Sequence, residues 1–169
     1  MNRLRLLGIV ALAALALAGC TRSEASVAPT PGKAVKALEL PNLPPDLLGL
    51  KLAKEDVSDD LAKVPKAFID GLSLYSLRHD DLVMATLQVS RFNDGANVKA
   101  QKFRQTVVNQ IGSSAPRTER LGADTVYLTT GTKQSIAVWF KDRYLFVLAT
   151  RADYDEPRTL LRKALEIKP

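Results

Sequence analysis

The sequence predicts an α+β fold: a two-layer sandwich in which a mostly antiparallel sheet of about five strands packs against two amphipathic helices. Five short segments rich in apolar residues are separated by polar turns or loops, and residues 82–92 among them alternate apolar with other residues, which is typical of antiparallel strands. Two further segments carry apolar residues at helical spacing. Because the strands are clustered and do not alternate one by one with the helices, this order disfavours a parallel sheet.

The first two strands are predicted to form a hairpin. Residues 72–78, LSLYSLR, and residues 82–92, LVMATLQVSRF, flank the polar turn His79-Asp80-Asp81. In the second segment, apolar Val83, Ala85, Leu87 and Val89 alternate with Met84, Thr86, Gln88 and Ser90. Period-two alternation on either side of polar turn residues predicts a β-hairpin.

A helix follows the hairpin. Asn93-Asp94-Gly95 supplies a turn, and apolar residues then recur at helical spacing up to Gly112. These residues are Val98, Phe103, Val107 and Ile111. Glycine often ends helices, so we expect the helix to end at Gly112.

The last third of the chain predicts three strands and a second helix. Residues 124–130, 134–140 and 144–150 are joined by the short turns Gly131-Thr132 and Lys141-Asp142-Arg143, which indicates an antiparallel meander. The final helix is expected to open at Asp155, with Pro157 in its first turn. One face of that helix is apolar, with Leu160, Leu161, Ala164 and Leu165.

These elements define a single domain at residues 46–169. Residues 20–45 are rich in proline, which disfavours regular structure, and predict a flexible linker. Between this linker and the hairpin, Ser58 could cap a short helix at residues 59–64, while Pro65 and Gly71 limit its length.

The strands at residues 134–140 and 144–150 are apolar on both faces, so both faces need a cover. A two-residue loop at Lys141-Asp142 would pair Trp139 with Tyr144 and put Phe146 on the same side. A three-residue loop would instead place Leu145 and Val147 beside Trp139. If both helices cover one face, residues 47–69 or an external ligand must cover the other. We therefore predict a partly open apolar groove, whose candidate ligand contacts are Tyr127, Trp139, Tyr144 and Phe146.

The sequence predicts no catalytic, metal or cofactor site. The one histidine, His79, lies in a predicted exposed turn, and no G-x-S-x-G, G-x-x-x-x-G-K or G-x-G-x-x-G motif occurs. Two groups of potential metal ligands do not match a known metal-binding spacing. They are His79-Asp80-Asp81, and Glu55-Asp56 with Asp59-Asp60. Basic residues are present on both predicted helices, but charged outer faces are usual for amphipathic helices, so these residues do not predict nucleic acid as a partner. They are Lys99, Lys102 and Arg104 on the first helix, and Arg158, Arg162 and Lys163 on the second.

The N-terminal residues have the pattern of an export signal. Arg3 and Arg5 precede an apolar run at residues 6–18 that small residues close, and this run is too short to span a bilayer comfortably. Leu17-Ala18-Gly19-Cys20 resembles the lipobox of bacterial lipoprotein precursors. The resemblance implies cleavage between Gly19 and Cys20 and a diacylglycerol on the sulfur of Cys20, which is the chain's single cysteine.

Together these features predict a lipoprotein anchored in membrane lipid through acylated Cys20. Its place would be the outer side of the bacterial cytoplasmic membrane, or the outer membrane if the host has two membranes. The function expected is that of a non-catalytic binding or interaction domain of the cell envelope, with an envelope protein, a lipid or a small molecule as partner. The alternatives are an envelope enzyme with a dispersed Ser/His/carboxylate site and a purely structural component.

Overall fold

Nine strands form one sheet in the computed structural model, which describes residues 35–56 and 66–169. The strands are β1 Lys36–Ala37, β2 Asp46–Leu47, β3 Leu50–Glu55, β4 Ile69–His79, β5 Leu82–Phe92, β6 Arg117–Leu121, β7 Asp124–Gly131, β8 Gln134–Lys141 and β9 Tyr144–Arg151. The helices are α1 Gln101–Ile111 and α2 Pro157–Ala164, and a short 3₁₀ helix at Lys66–Phe68 precedes β4.

The strand order is β2-β3-β4-β5-β9-β8-β7-β6, with every neighbouring pair antiparallel, and β1 pairs in parallel with β4. The sheet therefore consists of two local meanders, β2–β5 and β6–β9. They are joined by the pairing of β5 with β9.

Six pairs of consecutive strands are antiparallel neighbours, and five of them have two-residue connections, whereas residues 56–68 join β3 to β4. Such tight turns need residues with positive φ, because their twist then matches that of the strands. The positive-φ residues in these connections are Leu48, Gly49, Asp80, Gly122, Lys133 and Asp142. Leu48 is unusual, because a positive φ costs a residue with a Cβ about 1–2 kcal/mol and Leu has no side-chain polar group to offset it.

The two helices lie on opposite faces of the sheet. On the α2 face, Trp139 and Phe146 belong to the same buried cluster as Leu160 and Ala164 of α2. On the α1 face, Val138 and Leu145 pack in a second cluster with residues of α1. Successive residues of β8 and β9 thus enter different cores, which explains why both strands are apolar throughout.

The predicted two-layer sandwich of about five strands is wrong. The sheet has nine strands over the described residues, and one short helix covers each face. The hairpin at residues 72–92, the meander of β7 to β9 and both helices form close to where the sequence placed them. Four strands are not predicted by the sequence. Strands β1 and β2 have two residues each, the alternation in β3 covers only Leu50 and Leu52, and β6, RTERL, is an edge strand without an apolar stripe.

Residues that the sequence assigned to the linker take part in the core. Leu38 and Leu40 are buried on the α2 face, and the Leu38 amide donates to the Leu72 carbonyl oxygen at 3.1 Å. The sheet therefore begins at β1, before the predicted boundary at residue 46. The helix predicted at residues 59–64 and the signal residues Gly19 and Cys20 lie outside the described residues.

Gly112 ends α1 where the chain passes against β7. Its φ of −95° suits any residue, so glycine is not needed for the backbone conformation. It is needed for space, because a Cβ at this position would lie 2.1 Å from the Oγ1 of Thr129.

Gly112→Ala is expected to lower the free energy of unfolding by about 1–3 kcal/mol, because the added methyl overpacks a buried contact. Urea unfolding followed by circular dichroism measures the change. Gly95→Ala is the control, since Gly95 is exposed and the nearest atom to an added Cβ there is Oδ1 of Asn93, at 3.3 Å. Equal stability of both variants and the parent protein would contradict the close contact of α1 with β7.

Candidate functional site

The four residues of the predicted groove do not line one open surface. Trp139 is 0 % exposed on the α2 face, where its ring stacks on that of Phe146 with the centroids 5.2 Å apart. Tyr127 is 7 % exposed and lies on the α1 face. Trp139 pairs with Phe146, and Tyr144 pairs with Lys141 across a two-residue turn of Asp142 and Arg143. Tyr144 and Phe146 therefore share a face with Trp139, and Tyr127 does not.

The groove is filled from within the chain. The α2 face is covered by α2 and by Leu38, Leu40 and Leu47, which belong to the same buried cluster as Trp139. The sequence analysis placed both helices on one face and left the other face to residues 47–69 or to an external ligand, whereas the two helices cover opposite faces.

An opening remains near the N-terminal end of α2, and we call it the α2 cleft. Its volume is about 350 Å³, at the lower end of the range for small-molecule sites. Leu128, Ala137 and Leu148 of the sheet and Leu161 of α2 supply its apolar surface. Its remaining lining residues are Ser114, Arg117, Thr129, Thr130, Ser135, Ile136, Thr150, Pro157 and Arg158.

Hydroxyl groups form one wall of the α2 cleft. The Oγ of Ser114 lies 3.0 Å from the Oγ1 atoms of both Thr129 and Thr130, and it accepts a hydrogen bond from the Thr130 amide at 3.1 Å. The Thr129 hydroxyl donates to the Ser114 carbonyl oxygen at 2.8 Å. This network fixes the segment after α1 against β7 and gives the wall groups that can donate or accept hydrogen bonds.

Positive charge lies at the rim of the α2 cleft. The Nη2 atom of Arg158 on α2 is 2.8 and 2.7 Å from the two carboxylate oxygens of Glu119 on β6. Arg117, two residues before Glu119, is 3.9 Å from the same carboxylate. Two guanidinium groups thus share one carboxylate, and the rim keeps a net charge of about +1. A single nitrogen of Arg158 makes both contacts, so its other N–H groups remain available to a ligand.

The α2 cleft contains serine and threonine hydroxyl groups, but no histidine lies beside them to act as a base. Neither Ser114 nor Ser135 has a histidine partner, because His79 is an exposed residue of β4 whose Nε2 lies 4.0 Å from Asp80. Within residues 35–56 and 66–169, no three His, Cys, Asp or Glu side chains are placed to hold a metal ion. The absence of catalysis, metals and cofactors stays a prediction.

Glu55, one of the acidic residues considered for metal binding, has a structural role. It accepts hydrogen bonds from the Ser76 hydroxyl and, at 2.9 Å, from Arg78. These two bonds lower the pKa of the Glu55 carboxyl below its usual value. Asp59 and Asp60 lie outside the described residues.

Comparison with known proteins adds no family and no function. No protein-family model, curated protein or solved structure matches this chain. No helix in the described ranges is long and apolar enough to cross a bilayer.

The sequence contained only part of the signal for this site. Arg158 was noted as a basic residue on the second helix, but Arg117 and Glu119 lie on the edge strand that was missed. The sequence predicts strands for the apolar residues Leu128, Ala137 and Leu148, but their position side by side in the middle of three neighbouring strands depends on the pairing register.

The emission of Trp139, the only tryptophan, is expected to be strongly blue-shifted and inaccessible to acrylamide in the ligand-free protein, because its ring is fully buried. N-acetyltryptophanamide in the same buffer is the exposed reference. Emission near that of the reference, with comparable quenching, would contradict the closed α2 face.

Proposed function

We propose that this protein is a lipid-anchored binding protein of the bacterial cell envelope that does not itself catalyse a reaction, and that its α2 cleft takes an anionic amphipathic ligand. The observation that carries the proposal is the combination of an apolar surface with a guanidinium rim in one cleft. The lipobox-like Leu17-Ala18-Gly19-Cys20 supports the location, and the structure of the α2 cleft supports the ligand class.

The α2 cleft favours a ligand with an apolar body. Its surface residues Leu128, Ala137, Leu148 and Leu161 offer no charge, so a charged group is stable only at the rim. An alkyl chain that replaces water there gains about 25 cal/mol for each Å² of apolar surface buried. Hydroxyl groups in the wall, such as that of Thr130, can form hydrogen bonds with one or two polar atoms of the ligand's alkyl chain.

The rim favours a negative head group, because Arg158 already binds a carboxylate of the protein. The contact with Glu119 shows that the guanidinium can reach a carboxylate at hydrogen-bond distance without strain in α2. A ligand carboxylate at the rim would accept charge-assisted hydrogen bonds from Arg158 and Arg117, because these two guanidinium groups share only one carboxylate of the protein. A fatty acid or another single-chain amphiphile with an anionic head fits both features.

Decanoate is expected to bind the Cys20→Ser form of the full chain about tenfold more tightly than decanol, because only the carboxylate makes a charge-assisted bond to Arg158. Arg158→Ala should remove this difference by weakening decanoate alone. Isothermal titration calorimetry measures the four affinities. Glu119→Gln should strengthen decanoate a few-fold, because it removes the competing carboxylate.

Arg162→Ala is the matched control for the ligand experiment. Arg162 is exposed on the same helix and does not line the α2 cleft, so its loss changes net charge equally without changing the site. Ala137→Leu should fill the cleft and weaken both ligands. Equal losses in Arg158→Ala and Arg162→Ala would show a general charge effect and contradict the proposed site.

Cys20→Ser is expected to abolish both incorporation of radiolabelled palmitate and processing after Gly19, because serine cannot form the thioether. Gel mobility and membrane fractionation of the expressed chain measure both effects. Thr21→Ser keeps the lipobox-like residues and should be acylated normally. A Cys20→Ser protein that still carries the label would disprove the anchor and leave the α2 cleft unaffected.

A further inference from the structure

A second cavity opens at the end of the sheet where three connections meet. These are the β2–β3 turn, the β4–β5 turn and the segment between β9 and α2. The cavity has a volume of about 300 Å³, and we call it the tip hollow. Leu48, Leu50 and Met84 form its apolar part, together with Tyr154.

Exposed apolar side chains continue outward from the tip hollow. Leu48 is 40 % and Leu82 is 50 % exposed, and they are the exposed large hydrophobic residues among the described part of the chain. Leu82 pairs directly with His79, which lines the tip hollow, so both leucines lie at this one end of the sheet. Scattered apolar residues on a surface need no explanation, but two such residues beside an apolar cavity form a patch.

Negative charge surrounds this patch. Asp153, Asp155 and Glu156 line the tip hollow, and Asp80 and Asp81 form the adjacent turn. Burial raises the pKa of the Tyr154 phenol, and the nearby Glu156 and Asp155 raise it further.

Positive charge offsets only part of this negative charge. Both oxygens of Asp153 are bound by Arg151, at 2.8 and 2.5 Å. Lys133 is at the same end of the sheet, where its carbonyl oxygen accepts a hydrogen bond from the Ala152 amide at 3.1 Å, and Lys51 follows Leu50 in β3. Five carboxylates therefore face three cations, and the net charge at this end stays negative. The chain as a whole carries a formal charge of +6, so the sign at this end is opposite to that of the protein.

The fold alone does not explain why a leucine occupies position 48. Its φ of +53° belongs to a conformation that Asn and Gly adopt more readily, and its exposed side chain contributes little to the protein's own core. A partner that buries the exposed Leu48 side chain would be stabilised by the apolar contact.

We propose that the tip hollow docks a basic segment of a partner protein, in which an apolar side chain is flanked by lysine or arginine. The apolar side chain would enter the tip hollow and contact Leu48 and Met84, while the flanking cations face Asp155, Glu156 and the β4–β5 turn. An anionic lipid surface does not fit, because the same carboxylates repel its head groups. This site is separate from the α2 cleft and does not depend on the ligand proposed there.

The test uses fluorescein-labelled helical peptides of three designs with the full chain carrying Cys20→Ser. A leucine–lysine peptide is expected to bind, with affinity falling at least tenfold as salt is raised from low to high concentration. A serine–lysine peptide of equal charge and a leucine–glutamate peptide are each expected to bind at least tenfold more weakly. Fluorescence anisotropy measures all three affinities.

Leu48→Asn should weaken the leucine–lysine peptide at least fivefold while leaving the melting temperature unchanged or higher, because Asn suits the positive φ. Asp155→Asn should also weaken it, whereas Asp142→Asn, an equal charge change in the turn at the opposite end of the sheet, should not. Equal binding of the serine–lysine peptide, equal effects of the two Asp variants, or tight binding of phosphatidylglycerol vesicles would overturn the proposal. So would a concentration-dependent dimer in sedimentation that Leu48→Asn abolishes, because the occupant would then be a second copy.

Discussion

The requirement that both faces of one sheet be buried governs this structure. In β8 and β9, every residue from Ile136 to Trp139 and from Leu145 to Leu148 is apolar, so neither face of these strands can remain in water. A sheet of this kind needs a layer on each side. The chain supplies α1 for one face and, for the other, α2 together with Leu38, Leu40 and Leu47.

The α2 cleft forms because helix α2 is shorter than the strands on which it packs. Helix α2 has eight residues and is about 12 Å long, whereas the eight-residue strands beneath it span about 26 Å. Lys141, at the end of β8, donates hydrogen bonds to the carbonyl oxygens of Leu165 and Ile167 and so holds the chain after α2 at that end of the sheet. The helix therefore leaves the region around Ala137 and Thr150 partly uncovered, and the cleft forms there.

The sequence predicted elements better than it predicted their arrangement. Strands β4, β5, β7, β8 and β9 and both helices have strong periodicity, so they were found near their observed positions. Strand β6 has charged residues on both faces and shows no period, yet it brings Arg117 and Glu119 to the rim of the cleft. The two helices were assigned to one face because local periodicity shows that a helix has an apolar side, but not which side of a sheet it meets. Trp139 is buried because α2 and the leucines of the N-terminal segment cover its face, and its own neighbours in the sequence do not show this tertiary contact.

The pairing of β5 with β9 also sets the order in which the protein can fold. Within each meander the strands lie close in sequence, because every connection has two residues except that of β3 to β4 through residues 56–68, so the strands can pair quickly. The seam between the meanders joins Arg91 to Tyr144 and Ala85 to Thr150, residues that are separated by all of α1 and by β6, β7 and β8. Closing such a long loop costs chain entropy before the two cores are complete. The seam is therefore expected to be the last part of the sheet to form, after a state with two preformed halves and exposed apolar edges at β5 and β9.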